Sequence, residues 1–488
     1  WLKPFGSRWP ERWSCRCATL PPEPRCELSR LWQPLPMVPT QLQALVVALL
    51  ADVLAQVCGS QPWASSNDSV DLCAHGQELC GIRSHSGLVP VPRGGSLFYW
   101  YFVPPSRNSS APLVLFLQGG PGAPSMFSVL WEMGPVTLDG RASLLRRPSA
   151  ETWASEFPLL FVDSPVGTGW SSASGPAGLA TSQAEVAGDL VAFLDAFAAL
   201  HPEAPTDLVV VGESYGGHFV PALCAALLDR PGPGRHALRA AAVGNGFTDP
   251  PTQVLTKPQE AFAFGMIDER QLLQATKLAT EAHDLALAGS YVAAAKSRAA
   301  MEELVINASG LNPHDVRTTE GYDRINDLMQ TFFDLNETKD MLHIPRESKF
   351  TSFSKEVHDA LMSDIMRSQQ HNVEKMLLAG IRVLLYQGQF DWKDGVVANE
   401  AWIRSMQWPG IAGYLQAERM IWRRAVDGNV AGYWRRFKNL EQVVVLGAGH
   451  MVPMNQPLSA LDMIQRFVRQ RQPAERPAAA ASRGTVLV

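Results

Sequence analysis

The stretch Leu208-Val209-Val210-Val211-Gly212-Glu213-Ser214-Tyr215-Gly216-Gly217-His218 constrains this chain more than any other. Apolar, β-prone residues run straight into Gly-x-Ser-x-Gly, and a helix-compatible apolar stretch follows (Phe219, Val220, Ala222, Leu223, Ala226, Leu227). The order is strand, sharp turn, helix. In that order the glycines let the backbone turn tightly and leave the serine hydroxyl exposed at the sheet's edge, placed to act as a nucleophile. A bare Gly-x-Ser-x-Gly is no more than a Gly/Ser loop. The flanking strand and helix favour the catalytic reading.

A serine nucleophile needs a general base, and the base needs an acid to orient it. On a strand-elbow-helix scaffold the chain order is Ser, then Asp or Glu, then His. Asp391 fits the acid: it follows Arg382-Val383-Leu384-Leu385-Tyr386-Gln387-Gly388-Gln389-Phe390, an apolar strand broken at a glycine. His450 fits the base: it follows Gln442-Val443-Val444-Val445-Leu446-Gly447-Ala448-Gly449. An Asp after a strand is often a turn former, and any one of 11 histidines is more often structural. Here both occur in the required order and in the same strand-to-loop setting as Ser214. An oxyanion needs two backbone N–H donors. Tyr215, after the nucleophile, is one. Gly120, in Leu113-Val114-Leu115-Phe116-Leu117-Gln118-Gly119-Gly120-Pro121-Gly122, is the second.

These motifs together resemble the serine carboxypeptidase family of α/β-hydrolases, from about Ser96 to about Val468. Gly212-Glu213-Ser214-Tyr215-Gly216-Gly217-His218 is similar to that family's nucleophile motif, and Gln118–Gly122 to its oxyanion loop. Asp163-Ser164-Pro165-Val166-Gly167-Thr168-Gly169-Trp170-Ser171, Gly244-Asn245-Gly246 with Thr248-Asp249-Pro250, and Gly447–Pro453 also match. The chain looks closest to the vitellogenic-like members, which carry Gln where most have Asn at position 118. The resemblance implies recognition of a peptide's free C-terminal carboxylate by Gln118, Glu132 and Glu213, with Gly119 supplying a backbone N–H. Two adjacent carboxyls cannot both ionise cheaply, so one pKa rises and a protonated carboxyl can donate to the substrate. Taken alone, Glu132 would be a surface charge and Glu213 a helix N-terminal acid. The chain departs from the family at Ala123-Pro124, and at Trp392-Lys393-Asp394, which is polar beside a site that is usually aliphatic.

The fold expected is α/β, an α/β-hydrolase with a mostly parallel central sheet and an inserted helical cap. The hydrolase core spans residues 60–250 and 348–471, and the cap 251–347. Within the cap Asp268 is expected to open a helix, with Gln271 at its third position. Residues 37–59 read as a signal peptide, with cleavage near Gly59; the run is too short and interrupted for a membrane span. Residues 1–36 read as an unstructured or artefactual extension, and 472–488 as a disordered tail. Asn67, Asn108, Asn307 and Asn336 stand in glycosylation sequons. Cys73 and Cys80 are close enough to pair in an oxidising compartment, and Cys224 reads as a buried thiol.

A formal charge of -5, with no basic stripe or zinc-type cysteine spacing, gives no reason to invoke nucleic acid or metal. No cofactor is expected. The function expected is a serine-type carboxypeptidase working through an acyl-enzyme at acidic pH, in the lysosome or outside the cell. Its partners are peptides with a free C-terminal carboxylate, and a homodimer is allowed. The alternatives are another serine hydrolase or acyltransferase on the same scaffold, or a protective or binding protein that has lost activity.

Overall fold

Strands whose residues are apolar on both faces belong in the middle of a sheet covered on both sides. Leu113–Leu117 is of this kind: Leu113, Leu115 and Leu117 pack into one core cluster while Val114 and Phe116 pack into the other. The two clusters lie on opposite faces of one sheet. The computed structural model describes residues 68–105, 111–230 and 236–469. The expected leader, the N-terminal extension, the C-terminal tail from 472, and the sequons Asn67 and Asn108 fall outside the described residues.

The sheet contains β1 (Ser69–Val70), β2 (Arg83–Pro90), β3 (Gly95–Val103), β4 (Leu113–Leu117), β5 (Leu159–Asp163), β6 (Asp207–Glu213), β7 (Ala237–Gly244), β8 (Arg382–Gly388), β9 (Met420–Arg423), β10 (Val430–Phe437) and β11 (Leu440–Val445). Their spatial order is β1-β2-β3-β5-β4-β6-β7-β8-β11-β10-β9. The run from β5 to β11 is parallel, and the two edges are antiparallel. Strands β3, β4, β5, β6, β7, β8 and β11 fall on apolar runs of the sequence. The edge strands β2, β9 and β10 carry polar residues instead: Arg83, Ser84, His85 and Ser86 in β2, Arg423 in β9, and Arg435 and Arg436 in β10.

Helices α1 (Met126–Trp131), α2 (Gln183–Leu200) and α3 (Gly216–Asp229) accompany the first half of the sheet. Between β7 and β8 the chain turns helical, with α4 (Pro250–Ala263), α5 (Glu269–Leu287), α6 (Tyr291–Ser309) and α7 (Asp323–Asp334). The expected capping box opens α5: Asp268 Oδ1 accepts from Gln271 N–H at 2.8 Å, and Gln271 Oε1 accepts from Asp268 N–H at 2.9 Å. Short helices continue past residue 347, and α8 (Gln370–Leu378) packs on α3 just before β8. The sheet resumes at Arg382. Cys73 and Cys80 form a disulfide, and Cys224 is a buried free thiol. Asn307 and Asn336 are exposed. Among the described residues no helix is long and apolar enough to cross a membrane.

Candidate active site

Ligands of open α/β sheets gather at the carboxyl ends of the parallel strands. Ser214, Asn245, Asp391 and His450 follow β6, β7, β8 and β11 at that end. Ser214 has φ 60°, a left-handed conformation rare for a residue with a side chain. The elbow holds because its neighbours are small: a Cβ on Gly212 would come 2.7 Å from Val220 and 2.9 Å from Leu117 O. Ser214 N–H donates to Gly244 O at 3.0 Å, and Ser214 O accepts from Phe247 N–H at 2.9 Å.

His450 Nδ1–H donates to Asp391 Oδ2 at 2.7 Å, with both side chains buried. Asp391 is held in turn: Oδ1 accepts from Lys393 N–H at 2.7 Å and Oδ2 from Asp394 N–H at 3.2 Å. That bond leaves His450 Nε2 as the acceptor nitrogen, and among the described residues Nε2 is buried without a hydrogen-bond partner. His450 lines the same cavity of about 570 Å³ as Ser214. Burial works against the charged imidazole, but Asp391 outweighs it and holds the His450 pKa above the ordinary histidine value. The structure thus brings the three expected residues to one place.

Gly120 and Tyr215 line the cavity beside Ser214. Gly119 has to be glycine, because a Cβ there would strike the Tyr215 nitrogen and come 2.7 Å from Ser214 Cβ. Tyr215 is locked by its hydroxyl, which donates to Asp364 Oδ2 at 3.0 Å, and by its ring, stacked on His218 at 4.2 Å.

The three side chains expected to recognise a carboxylate form one buried group. Gln118 Nε2 donates to Glu132 Oε1 and to Ser128 Oγ, both at 3.0 Å, and Ser128 Oγ donates to Glu132 Oε1 at 2.8 Å. Glu132 and Glu213 are fully buried, and among the described residues Glu132 Oε2 and both Glu213 carboxyl oxygens have no hydrogen-bond partner. Burial, and then the charge of Glu132, holds Glu213 well above the usual carboxylate range. Burial also raises Glu132. The pair therefore keeps a proton where separate glutamates would have lost it. Of the three, Gln118 reaches the cavity wall while the two acids lie behind it. The Gly119 N–H expected to meet the substrate donates to Gln118 Oε1 at 2.8 Å.

Two residues have roles the sequence did not signal. Asn245 Nδ2 donates to His450 O at 2.5 Å while its Oδ1 accepts from Gly388 N–H at 2.9 Å, tying β7 to β8 and to the histidine loop. His314, in a loop of the helical insertion, sets its ring edge-on to His450 at 4.9 Å and accepts His450 N–H on its carbonyl at 2.6 Å. Burial, and then the charge of His450, keeps His314 well below the ordinary histidine value.

Comparison with known proteins settles the lineage. Residues 75–470 match the family described as serine carboxypeptidase. The chain belongs to that family. It is 36% identical over 394 residues to serine carboxypeptidase-like 50 of Arabidopsis thaliana, covering 79% of this chain and 88% of that one. It is 32% identical over 427 residues to the probable serine carboxypeptidase CPVL of Dictyostelium discoideum, covering 83% of each. A prohormone-processing carboxypeptidase of Saccharomyces cerevisiae shares the fold, with TM-score 0.72, 24% identity, and coverage of 80% of this chain and 92% of that chain. This serine carboxypeptidase is thus a hydrolase on an α/β-hydrolase fold, and its substrates are peptides.

Proposed function

We propose that Ser214, His450 and Asp391 are the triad of this carboxypeptidase and that Gln118, Glu132 and Glu213 receive the substrate's terminal carboxylate. The observation that carries the reading is the buried His450 Nε2, unpartnered among the described residues, on a histidine that lines Ser214's cavity while Nδ1 is fixed on Asp391. Ser214 Oγ attacks the last peptide carbonyl and passes its proton to His450 Nε2. The Gly120 and Tyr215 N–H groups stabilise the oxyanion. The C–N bond breaks, His450 returns the proton to the leaving amine, and an acyl-enzyme remains. Water repeats the sequence and frees Ser214.

An anion enters beside Gln118 only while the acid pair holds a proton. The proton limits the negative charge behind Gln118. The sequons and the apolar run after Met37 support a secretory route to the lysosome or the cell exterior, with glycans on Asn67, Asn108, Asn307 and Asn336. The test is release of the C-terminal amino acid from N-blocked dipeptides, compared with their amides and with simple esters. The free acid should be the preferred substrate. Turnover of esters with no release from free-acid peptides would point to another serine hydrolase.

A further inference from the structure

Part of the cavity wall carries charge that this mechanism does not use. Glu302, on α6, is buried and receives three cations. Arg298 Nη2 lies 2.9 Å from Oε1, Lys257 Nζ from α4 lies 3.0 Å from Oε1, and Lys393 Nζ from the loop after Asp391 lies 2.7 Å from Oε2. Asp394 Oδ1 stands 3.7 Å from Lys257. Arg298, Glu302, Lys393 and Asp394 all line the cavity, whereas Lys257 is enclosed.

Buried charge is costly and is weak evidence of stability on its own. Its presence on a binding cavity therefore asks for a ligand. The sign follows from the spare hydrogen-bonding capacity. Both oxygens of Glu302 are already taken, and three cations surround it. Burial raises the Asp394 pKa and so weakens its negative charge. The cations keep donors in hand: a guanidinium has five and an ammonium three. Among the described residues Arg298 Nε is buried without a hydrogen-bond partner. What fits this wall is an acceptor-rich anion.

Position decides which part of the substrate supplies it. The terminal carboxylate belongs at Gln118, so the leaving amino acid fills that side of Ser214. The acyl side of the substrate is assigned to the remaining cavity wall, which includes Tyr215 and Phe247. There Arg298 sits over the Phe247 ring at 4.2 Å, and Phe247 N–H holds Ser214 O. Building on the carboxypeptidase reading, we propose that Arg298 and Lys393 select an acidic side chain, Glu or Asp, on the acyl side of the scissile bond.

The test is a panel of N-acylated dipeptides with phenylalanine as a constant leaving residue and Glu, Gln, Leu or Lys before it. The readout is kcat/KM from phenylalanine release. Glu should exceed Gln and Leu by about tenfold or more, near 1.4 kcal/mol, with Lys slowest. In Arg298→Met the Glu-to-Gln ratio should fall towards about one, and Arg298→Lys should restore part of it. Lys393→Met repeats the ratio test should Arg298→Met fail to fold. Leu or Lys matching or exceeding Glu in the unaltered enzyme overturns the inference and leaves the carboxypeptidase reading standing. No release from any peptide overturns both.

Discussion

At the residue scale, the proposed chemistry depends on two protons. One would move between Ser214 and His450, and the other would be held by the buried pair of Glu132 and Glu213. Ser214→Ala should lower peptide hydrolysis by about a millionfold, because triad members act as a unit. The folded protein should persist, as read by an unchanged circular dichroism spectrum; substantial residual peptidase activity would refute the assignment. The pH dependence follows from the two raised pKa values. His450 acts as a base only when neutral, so activity rises with pH through its raised pKa. The acid pair must keep its proton, so binding of free-acid peptides is lost as pH rises through the pair's raised value. The profile of kcat/KM is then a bell, with the acid limb set by His450 and the alkaline limb by the pair. Glu213→Gln should flatten the alkaline limb, because an amide donates at every pH. Peptide amides should show less of that limb in the unaltered enzyme. Identical profiles for acids and amides would count against the carboxylate role. Asn245→Ala removes the donor that fixes the His450 loop, and should slow Ser214 labelling by a fluorophosphonate about tenfold to a hundredfold.

At the element scale, legibility tracked local context. Ser214, Asp391 and His450 each follow an apolar strand that breaks at a glycine, so one rule located all three. Glu132 and Glu213 were readable as motif members, but not their depth behind Gln118, which depends on how α1 packs beneath the oxyanion loop. Arg298, Glu302 and Lys393 come from α6 and a distant loop, and nothing local to either segment announces that they meet. The strands β9 and β10 stayed hidden because an antiparallel edge tolerates charges that a central parallel strand does not. The cap of α5 was legible because a capping box is written in two residues three apart. Its loss should also be local. Asp268→Ala should cost about 1 kcal/mol, measured as a lower denaturation midpoint. An unchanged midpoint would mean that the helical insertion does not share the cooperative unfolding of the sheet.

At the scale of the whole molecule, a single sheet carries the site and a helical insertion between β7 and β8 supplies part of its wall. The expected compartment is tested on the full chain. Expressed from Met37 in a secretory cell line, the protein should lose its leader near Gly59 and fall in mass on enzymatic deglycosylation. Retention of Met37 with no glycan would overturn the secretory route. The bond from Asn245 to the His450 carbonyl has a further consequence, since its partners stand 205 residues apart in the chain. A ribosome delivers the nucleophile elbow first, then the whole insertion, and the base after both. Contacts of such long separation form late and slowly. In the proposed triad Ser214 has no base until β11 docks beside β8, and until then it is chemically an ordinary serine. On that reading a growing chain surrounded by other unfolded chains is harmless to their C-termini, and the hydrolase switches itself on by finishing its own sheet.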